Sequence, residues 1–160
     1  MDDWQTRVDA VWADADRLGE DGVVAAIDAL AAERPGGDAL ALFERAGARD
    51  SAGLEDEAEP LYRAALAAGL PEPQHGQAVI QLASTVRNLG HPEESLALLR
   101  AEFAQQPDHP YADAATAFAA LALASMGETT AALSASLGAL AKHLPAYRRS
   151  VENYAADLLD

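Results

Sequence analysis

The chain has 160 residues and contains no cysteine. This excludes disulfides, thiolate nucleophiles and cysteine-ligated zinc. Long apolar runs are also missing, because no stretch approaches the roughly 18 residues that a membrane-spanning helix needs. The N-terminal segment MDDWQTRVDA is acidic and lacks the basic start and apolar core of a signal peptide. We therefore expect a cytoplasmic protein.

Basic residues are scarce, with 11 Lys and Arg against 26 Asp and Glu, for a net charge of −15. Nucleic acids and anionic membranes attract basic surfaces, so neither is an expected partner. The charge is uneven, since residues 1–38 hold 10 acidic and 3 basic residues (net −7) and residues 76–160 hold 9 and 5 (net −4). The acidic N-terminal part either steers a basic partner or forms a solvated surface that maintains solubility.

Aromatic residues make up 6% of the chain, and β-branched residues never form a run. A β-sheet is therefore not expected. Half of the residues are apolar and alanine dominates them. Alanine has the highest helix propensity and allows helices to approach closely. The composition predicts an all-α fold.

The clearest helical pattern lies between residues 77 and 99. An apolar stripe with helical spacing comes first and consists of Val79, Leu82, Ala83, Val86 and Leu89. Gly90 then ends the first helix, because glycine tolerates the left-handed conformation found after a helix. Pro92 suits the first turn of a second helix, which carries its own apolar face. The stretch predicts a helical hairpin.

Glycines at corresponding positions indicate that this hairpin recurs. Gly19, Gly53, Gly90 and Gly127 are separated by 34, 37 and 37 residues. Small or medium-sized residues tend to occur five residues after these glycines, as at Ala58, Ser95 and Ala132. They also tend to occur seven residues before them, as at Ala46, Ala83 and Ala120. A fixed period of this length is typical of helical repeat proteins.

Paired helices with small residues at fixed positions and a glycine at the turn resemble the tetratricopeptide repeat. The third unit shows the match best, in Leu82-Ala83, Leu89-Gly90, Ser95, Leu99 and Pro107. The segments EAEPLYRAAL and QLASTVRNLGHPEESLALL are also similar to a subgroup of short bacterial members. The resemblance covers residues 39–145 well and residues 5–38 weakly. It implies a right-handed superhelical solenoid of about four antiparallel helical hairpins.

We expect a single domain with units at about 5–37, 39–72, 76–108 and 111–144. Asp38 is a plausible N-cap of the second unit, and Pro60 is tolerable there only if its helix begins near Glu57 or bends. A capping helix over 146–159 is expected to cover the end of the array with an apolar stripe of Tyr147, Val151, Tyr154 and Leu158. The same stripe could serve as a partner-binding or dimerising surface.

No catalytic motif is present: the chain lacks a phosphate-binding glycine loop, a G-x-S-x-G elbow and an H-E-x-x-H helix. When the four units are aligned at their glycines, three histidines fall in loops between units: His75, His109 and His143. His91 falls in a turn within a unit. Their spacing does not favour a metal site, and we expect solvated histidines. The acidic residues Glu55–Glu57 suit a helix start better than a calcium loop. We predict a non-catalytic protein without cofactor or metal.

In tetratricopeptide arrays the first helix of each unit lines a concave groove that binds peptides or partner segments. Carried over by position, this geometry predicts a polar face in unit three and an apolar patch in unit four. Unit two would contribute Phe43 and Asp50. The candidate peptide-binding residues are Gln77, Gln81, Ser84, Arg87, Asn88, Phe118, Leu121, Phe43 and Asp50. The chain has no lysine before Lys142, so the family's carboxylate clamp is not implied.

Arg45 and Arg49 stand where the family usually buries apolar residues. They either lay their stems on the core and reach acidic neighbours, or point into the groove and bind anions. We expect a protein or peptide partner and a monomer or weak homodimer. The alternative function is a structural or self-association module that acts through its terminal helices.

Overall fold

A computed structural model describes residues 3–160, and the described residues form helices without any strand. The helices are α1 (Asp3–Ala13), α2 (Ala15–Ala31), α3 (Ala39–Ser51), α4 (Glu55–Ala67), α5 (Gln74–Asn88), α6 (Pro92–Phe103), α7 (Ala112–Ser125), α8 (Thr129–Ala141) and α9 (Arg148–Asp157). The all-α prediction is confirmed. The chain divides into two compact units, the first ending at Thr85 and the second spanning Val86–Asp160.

The four glycines of the repeat phase all have positive φ, with values of 69°, 69°, 91° and 83° at Gly19, Gly53, Gly90 and Gly127. After Gly53, Gly90 and Gly127 the next N–H donates to the carbonyl five residues earlier, each time at 2.9 Å. This is the Schellman arrangement, which satisfies free carbonyls at a helix end. Gly19 divides α2 with ψ near 169°. Gly53, Gly90 and Gly127 therefore end the first helix of their hairpins, as the spacing predicted, whereas Gly19 lies within α2, beyond the end of α1 at Ala13.

The small residues of the repeat pattern are buried. Ala46, Ala58 and Ala83 are fully buried, and Ser95, Ala120 and Ala132 are at most 9% exposed. Side chains of this size allow neighbouring helices to approach closely and to pack at the density of a protein interior. Consecutive helices pack against each other within both units, from α1 to α4 in the first and from α6 to α9 in the second.

The core of the first unit combines apolar side chains with paired polar groups. Val8 and Ile27 are fully buried, and the buried Trp4 donates from its indole to the carbonyl of Leu30 at 2.8 Å. The indole N–H of Trp12 donates to the side-chain carboxylate of Glu44 at 2.8 Å. Glu44 is 8% exposed, and its burial raises the pKa of the carboxyl above its ordinary value.

Two helix starts in the first unit show how local chemistry sets the boundaries. Asp38 accepts from the N–H of Ala41 at 3.0 Å, so it is the N-cap of α3 as predicted. The helix α4 begins at Glu55, two residues before the start that we expected from Pro60. Pro60 therefore lies inside a helix, where it lacks the N–H that would pair with the preceding turn.

The terminal helix α9 packs on α8, but not through the whole predicted stripe. Ser134 donates to the carbonyl of Ala155 at 2.7 Å, which brings the backbone of α9 close to α8. This close approach runs through the small Ala155, which is 4% exposed, and not through the neighbouring Tyr154. Tyr154 is 69% exposed and Tyr147, which precedes the helix with φ near 65°, is 81% exposed. The two tyrosines therefore lie outside the capping contact, and the alternative that the stripe serves as an interface stays open.

Candidate peptide-binding surfaces

The predicted polar face lies on α5, whose opposite face is buried through Leu82 and Val86. The four residues Gln77, Gln81, Ser84 and Arg87 are half-buried and Asn88 is exposed. The Nη2 group of Arg87 donates to the side-chain oxygen of Asn88 at 3.0 Å. The five predicted residues are separated by 4, 3, 3 and 1 positions, which places them along one side of a single helix.

Two atoms of this face are buried without a hydrogen-bond partner among residues 3–160. They are the Oε1 acceptor of Gln81 and the Nε donor of Arg87. A buried polar atom that is left unpaired costs about 1–3 kcal/mol. An acceptor and a donor on one helical face match the N–H and C=O groups of a polypeptide backbone. Both atoms are closed off from solvent, so a partner reaches them only when the two side chains turn outward.

The two residues predicted for unit two, Phe43 and Asp50, make contacts within the first compact unit. Phe43 is 8% exposed and its ring lies 6.3 Å from that of Tyr62, so it is a core residue and the expectation of an open surface there is wrong. Asp50 accepts from the Tyr62 hydroxyl at 3.2 Å and from Thr85 at 3.1 Å. Burial raises the pKa of the Asp50 carboxyl. Both residues serve the packing of α3 on its neighbours.

An open apolar groove of about 410 Å³ lies between α7 and α8 in the second unit. Its rim carries Leu121 and Leu133, which are 47% and 50% exposed. The remaining lining residues are small: Ala117, Ala120, Ala124, Ala132 and Ser136. The predicted Leu121 thus lines the groove, whereas the half-buried Phe118 does not. A floor of small residues between two leucines can accept a large apolar side chain.

Sequence reasoning missed Leu133, although a signal for it was present. The helix α8 carries no charged residue from Thr129 to Ala141, and α7 carries only Asp113. A helix that is apolar on all sides is typical of one that is covered on all sides. The exposed leucines show that the described part of the chain leaves one of these faces open.

The two arginines of unit two have a structural role. Arg49 donates to both carboxylate oxygens of Asp28, from Nη1 at 3.0 Å and from Nη2 at 2.8 Å. Its Nε also donates to Glu57 at 3.2 Å, and Arg45 donates from Nε to Asp28 at 2.8 Å. Hydrogen bonds from Arg49 are the first cause of a lowered pKa of Asp28. Of the two alternatives left open by the sequence, the arginines follow the one in which they reach acidic neighbours.

Two of the four histidines differ from the predicted solvated loop residues, whereas His91 and His143 are exposed and lie outside the helices. His75 lies in the first turn of α5 rather than in a loop. The ring of His109 contacts those of Phe103 and Tyr111, at 5.1 Å and 5.7 Å between centroids. His143 lies 2.9 Å from Asp113. Across residues 3–160 no group of three or more metal-ligating side chains comes together, and no helix is long and apolar enough to cross a membrane.

Comparison with known proteins agrees with this architecture. No curated protein and no solved structure shows significant similarity to the chain. The model of the tetratricopeptide repeat family, described as Tetratrico peptide repeat, matches residues 39–158, which are 120 of the 160 residues. The match begins at α3, as the resemblance in the sequence predicted, and extends through α9. The chain belongs to the tetratricopeptide repeat family.

Proposed function

We propose that this protein is a non-catalytic interaction module that binds an extended segment of a partner protein along the polar face of α5. Proteins of this family generally act as scaffolds for protein–protein contacts. The observation that carries the proposal is the pair of buried, unpaired atoms on Gln81 and Arg87. When the two side chains turn outward, backbone groups of a bound segment would pair with both and remove their desolvation penalty.

The groove between α7 and α8 supplies an apolar anchor site in the same proposal. A partner side chain seated between Leu121 and Leu133 would cover surface that is now half exposed. Burial of a large apolar side chain contributes about 1.5–3 kcal/mol. Backbone groups of a partner would bind the face of α5 and, as a separate contact, one large apolar residue would fill the groove. Because the chain has a net charge of −15, neutral or basic segments are favoured over acidic ones.

The test begins with selection of binding peptides from a displayed peptide library, followed by fluorescence anisotropy with the selected peptides. The double variant Gln81→Ala/Arg87→Ala is expected to weaken binding at least about tenfold, since two hydrogen bonds to the peptide are lost. The control Gln105→Ala/Arg149→Ala removes the same residue types from exposed positions in the second unit. It should leave binding unchanged.

Thermal unfolding separates a binding role from a structural one. Both altered side chains already carry an unpaired buried atom, so their truncation should leave stability unchanged or slightly raised. Unfolding of the double variant, or equal binding by variant and control, would refute the role of α5. For the groove, Leu133→Gln should weaken binding about tenfold, whereas Leu159→Gln, 63% exposed and outside the groove, should not.

Self-association is a second candidate function, favoured by exposed apolar groups at the C-terminus. Tyr147, Tyr154 and Leu159 are 81%, 69% and 63% exposed. Aromatic residues are enriched in protein interfaces. Light scattering across a wide concentration range tests this candidate: the mass should rise with concentration and the rise should disappear in Tyr154→Ser. A monomer at every concentration would contradict it.

A further inference from the structure

A second pocket in the C-terminal unit combines apolar walls with positive charge. It has a volume of about 270 Å³ and lies between α6, α7 and the end of α8. Its walls include Leu99, Phe103 and Ala115, which are 2%, 7% and 3% exposed. Two cationic side chains, Arg100 and Lys142, also line it. The pocket uses a different face of α7 from the groove that Leu121 borders.

The charge of this pocket is opposite to that of the protein. The chain has 26 acidic and 11 basic residues, yet the lining holds two cations and no carboxylate. Asp113 lies just outside and accepts from Lys142 Nζ at 2.6 Å, so the three groups together carry a net charge of +1. The groove near Leu121 is uncharged, and a pocket in the first unit balances Asp28 and Asp38 against Arg34 and Arg45.

Hydrogen-bond donors remain available at the rim. Arg100 is exposed and makes no ion pair within the described residues 3–160. Its guanidinium presents five N–H donors in a planar fork that suits a carboxylate. The ammonium of Lys142 has three donors, of which Asp113 engages one. A carboxylate at the rim would therefore meet two cations while an attached apolar group contacts Leu99 and Phe103.

We propose that this pocket binds a compact apolar carboxylate, with the carboxylate between Arg100 and Lys142 and the apolar group against Phe103. Pockets for drug-sized ligands have volumes of about 300–1,000 Å³, so a pocket of 270 Å³ fits a group of one side chain's size. The same chemistry occurs in a free organic acid and at the C-terminal residue of a polypeptide. The site is independent of α5 and of the α7–α8 groove, and its failure would leave the proposed interaction function untouched.

The test is a titration of the nitrogen-15-labelled full chain with 3-phenylpropanoate, followed by NMR. Saturable shifts are expected at the pocket residues, with a dissociation constant on the order of 1 mM, as befits so small a ligand. The neutral 3-phenylpropanamide should bind about tenfold more weakly, since charge-assisted hydrogen bonds are lost. Equal binding of acid and amide, or shifts that do not saturate, would overturn the proposal.

Variants separate this site from general electrostatic attraction. Arg100→Gln should weaken binding of the acid about tenfold and leave binding of the amide unchanged. The matched control Arg149→Gln removes the same charge from an exposed position of α9 and should have no effect. Ala104→Leu places a large side chain at an exposed, helical position of the lining and should block both ligands. Equal effects of the two arginine variants would refute the assignment.

A further arm distinguishes the source of the ligand. The dipeptide N-acetyl-Gly-Phe carries the same apolar group and carboxylate at a chain end. Tighter binding of the dipeptide than of 3-phenylpropanoate assigns the site to a polypeptide terminus, and weaker binding assigns it to a free acid. Arg100 is exposed, so its substitution should preserve the fold, and thermal unfolding of each variant checks this.

Discussion

The arginine pair of α3 offers a quantitative test of the packing of the first unit. Arg49 is 11% exposed and makes two hydrogen bonds to Asp28, whereas Arg45 is 37% exposed and makes one. Removal of one partner from a buried ion pair costs about 3–5 kcal/mol. Asp28 is 35% exposed and keeps Arg45 when Arg49 is replaced, so we expect a smaller loss. Arg49→Met should lower the free energy of unfolding by about 2 kcal/mol.

Arg45→Met is the matched control, because methionine retains most of the apolar stem in both variants. Its exposed single contact should be worth about 0.5 kcal/mol. Urea unfolding with a constant m-value measures both losses. For a chain of this size, the loss at Arg49 corresponds to a decrease in Tm of roughly 4–8 °C. In an Asp28→Asn background the effect of Arg49→Met should fall well below its value in the natural chain.

The pH dependence gives an independent check on the same contact. Because Arg49 lowers the pKa of Asp28 below its ordinary 3.8, the pair contributes stability above that value and loses it as the pH falls through the folded-state pKa. The difference between the natural chain and Arg49→Met should therefore be constant near neutral pH and shrink in acid. Equal losses at Arg45 and Arg49, or a loss that persists in the Asp28→Asn background, would refute this reasoning.

Three further substitutions test other parts of the fold. Burial raises the pKa of Glu44, so its protonated form contributes stability at low pH that is lost as the pH rises. Glu44→Gln cannot ionise and should retain this stability at all pH values. In urea unfolding, the variant should be more stable than the natural chain at neutral pH but not in acid. Tyr62→Phe removes a buried donor to Asp50 and should lower the free energy of unfolding by about 1.5–3 kcal/mol in urea. Gly90→Ala forces φ near 91° on an L-residue and should lower the free energy of unfolding by about 1–2 kcal/mol. The control Gly36→Ala should have little effect in the same assay, because φ is not positive there and the space is open.

Local patterns in the sequence predicted the helices and their turns well. The glycine spacing marked the positions where φ is positive, because only glycine adopts that conformation without a steric penalty. The Asp38 cap and the buried small residues are also local in origin, since capping and helix spacing involve neighbours within a turn or two. The superhelical course of the array stays a prediction.

Positions that depend on a neighbouring helix were harder to predict. Helical spacing identifies a face but not the element that covers it, so Phe43 was expected on a surface and lies against Tyr62. Leu133 was not expected on a surface and is half exposed. Tyr154 turned outward because the contact of α9 runs through the smaller Ala155. Each outcome was set by a side chain at least one helix away or by the distance between two helices.

The sequence by itself determined an acidic, all-α chain of repeated hairpins, because composition, periodicity and glycine position act over a few residues. Only the tertiary structure decided which polar groups are paired: Arg45 and Arg49 pair with Asp28, whereas Gln81 and Arg87 each retain an unpaired buried atom. It also brought Arg100 and Lys142, 42 residues apart in the sequence, to one apolar pocket. Pairing and burial depend on contacts between helices that are distant in the sequence, and no local pattern specifies them.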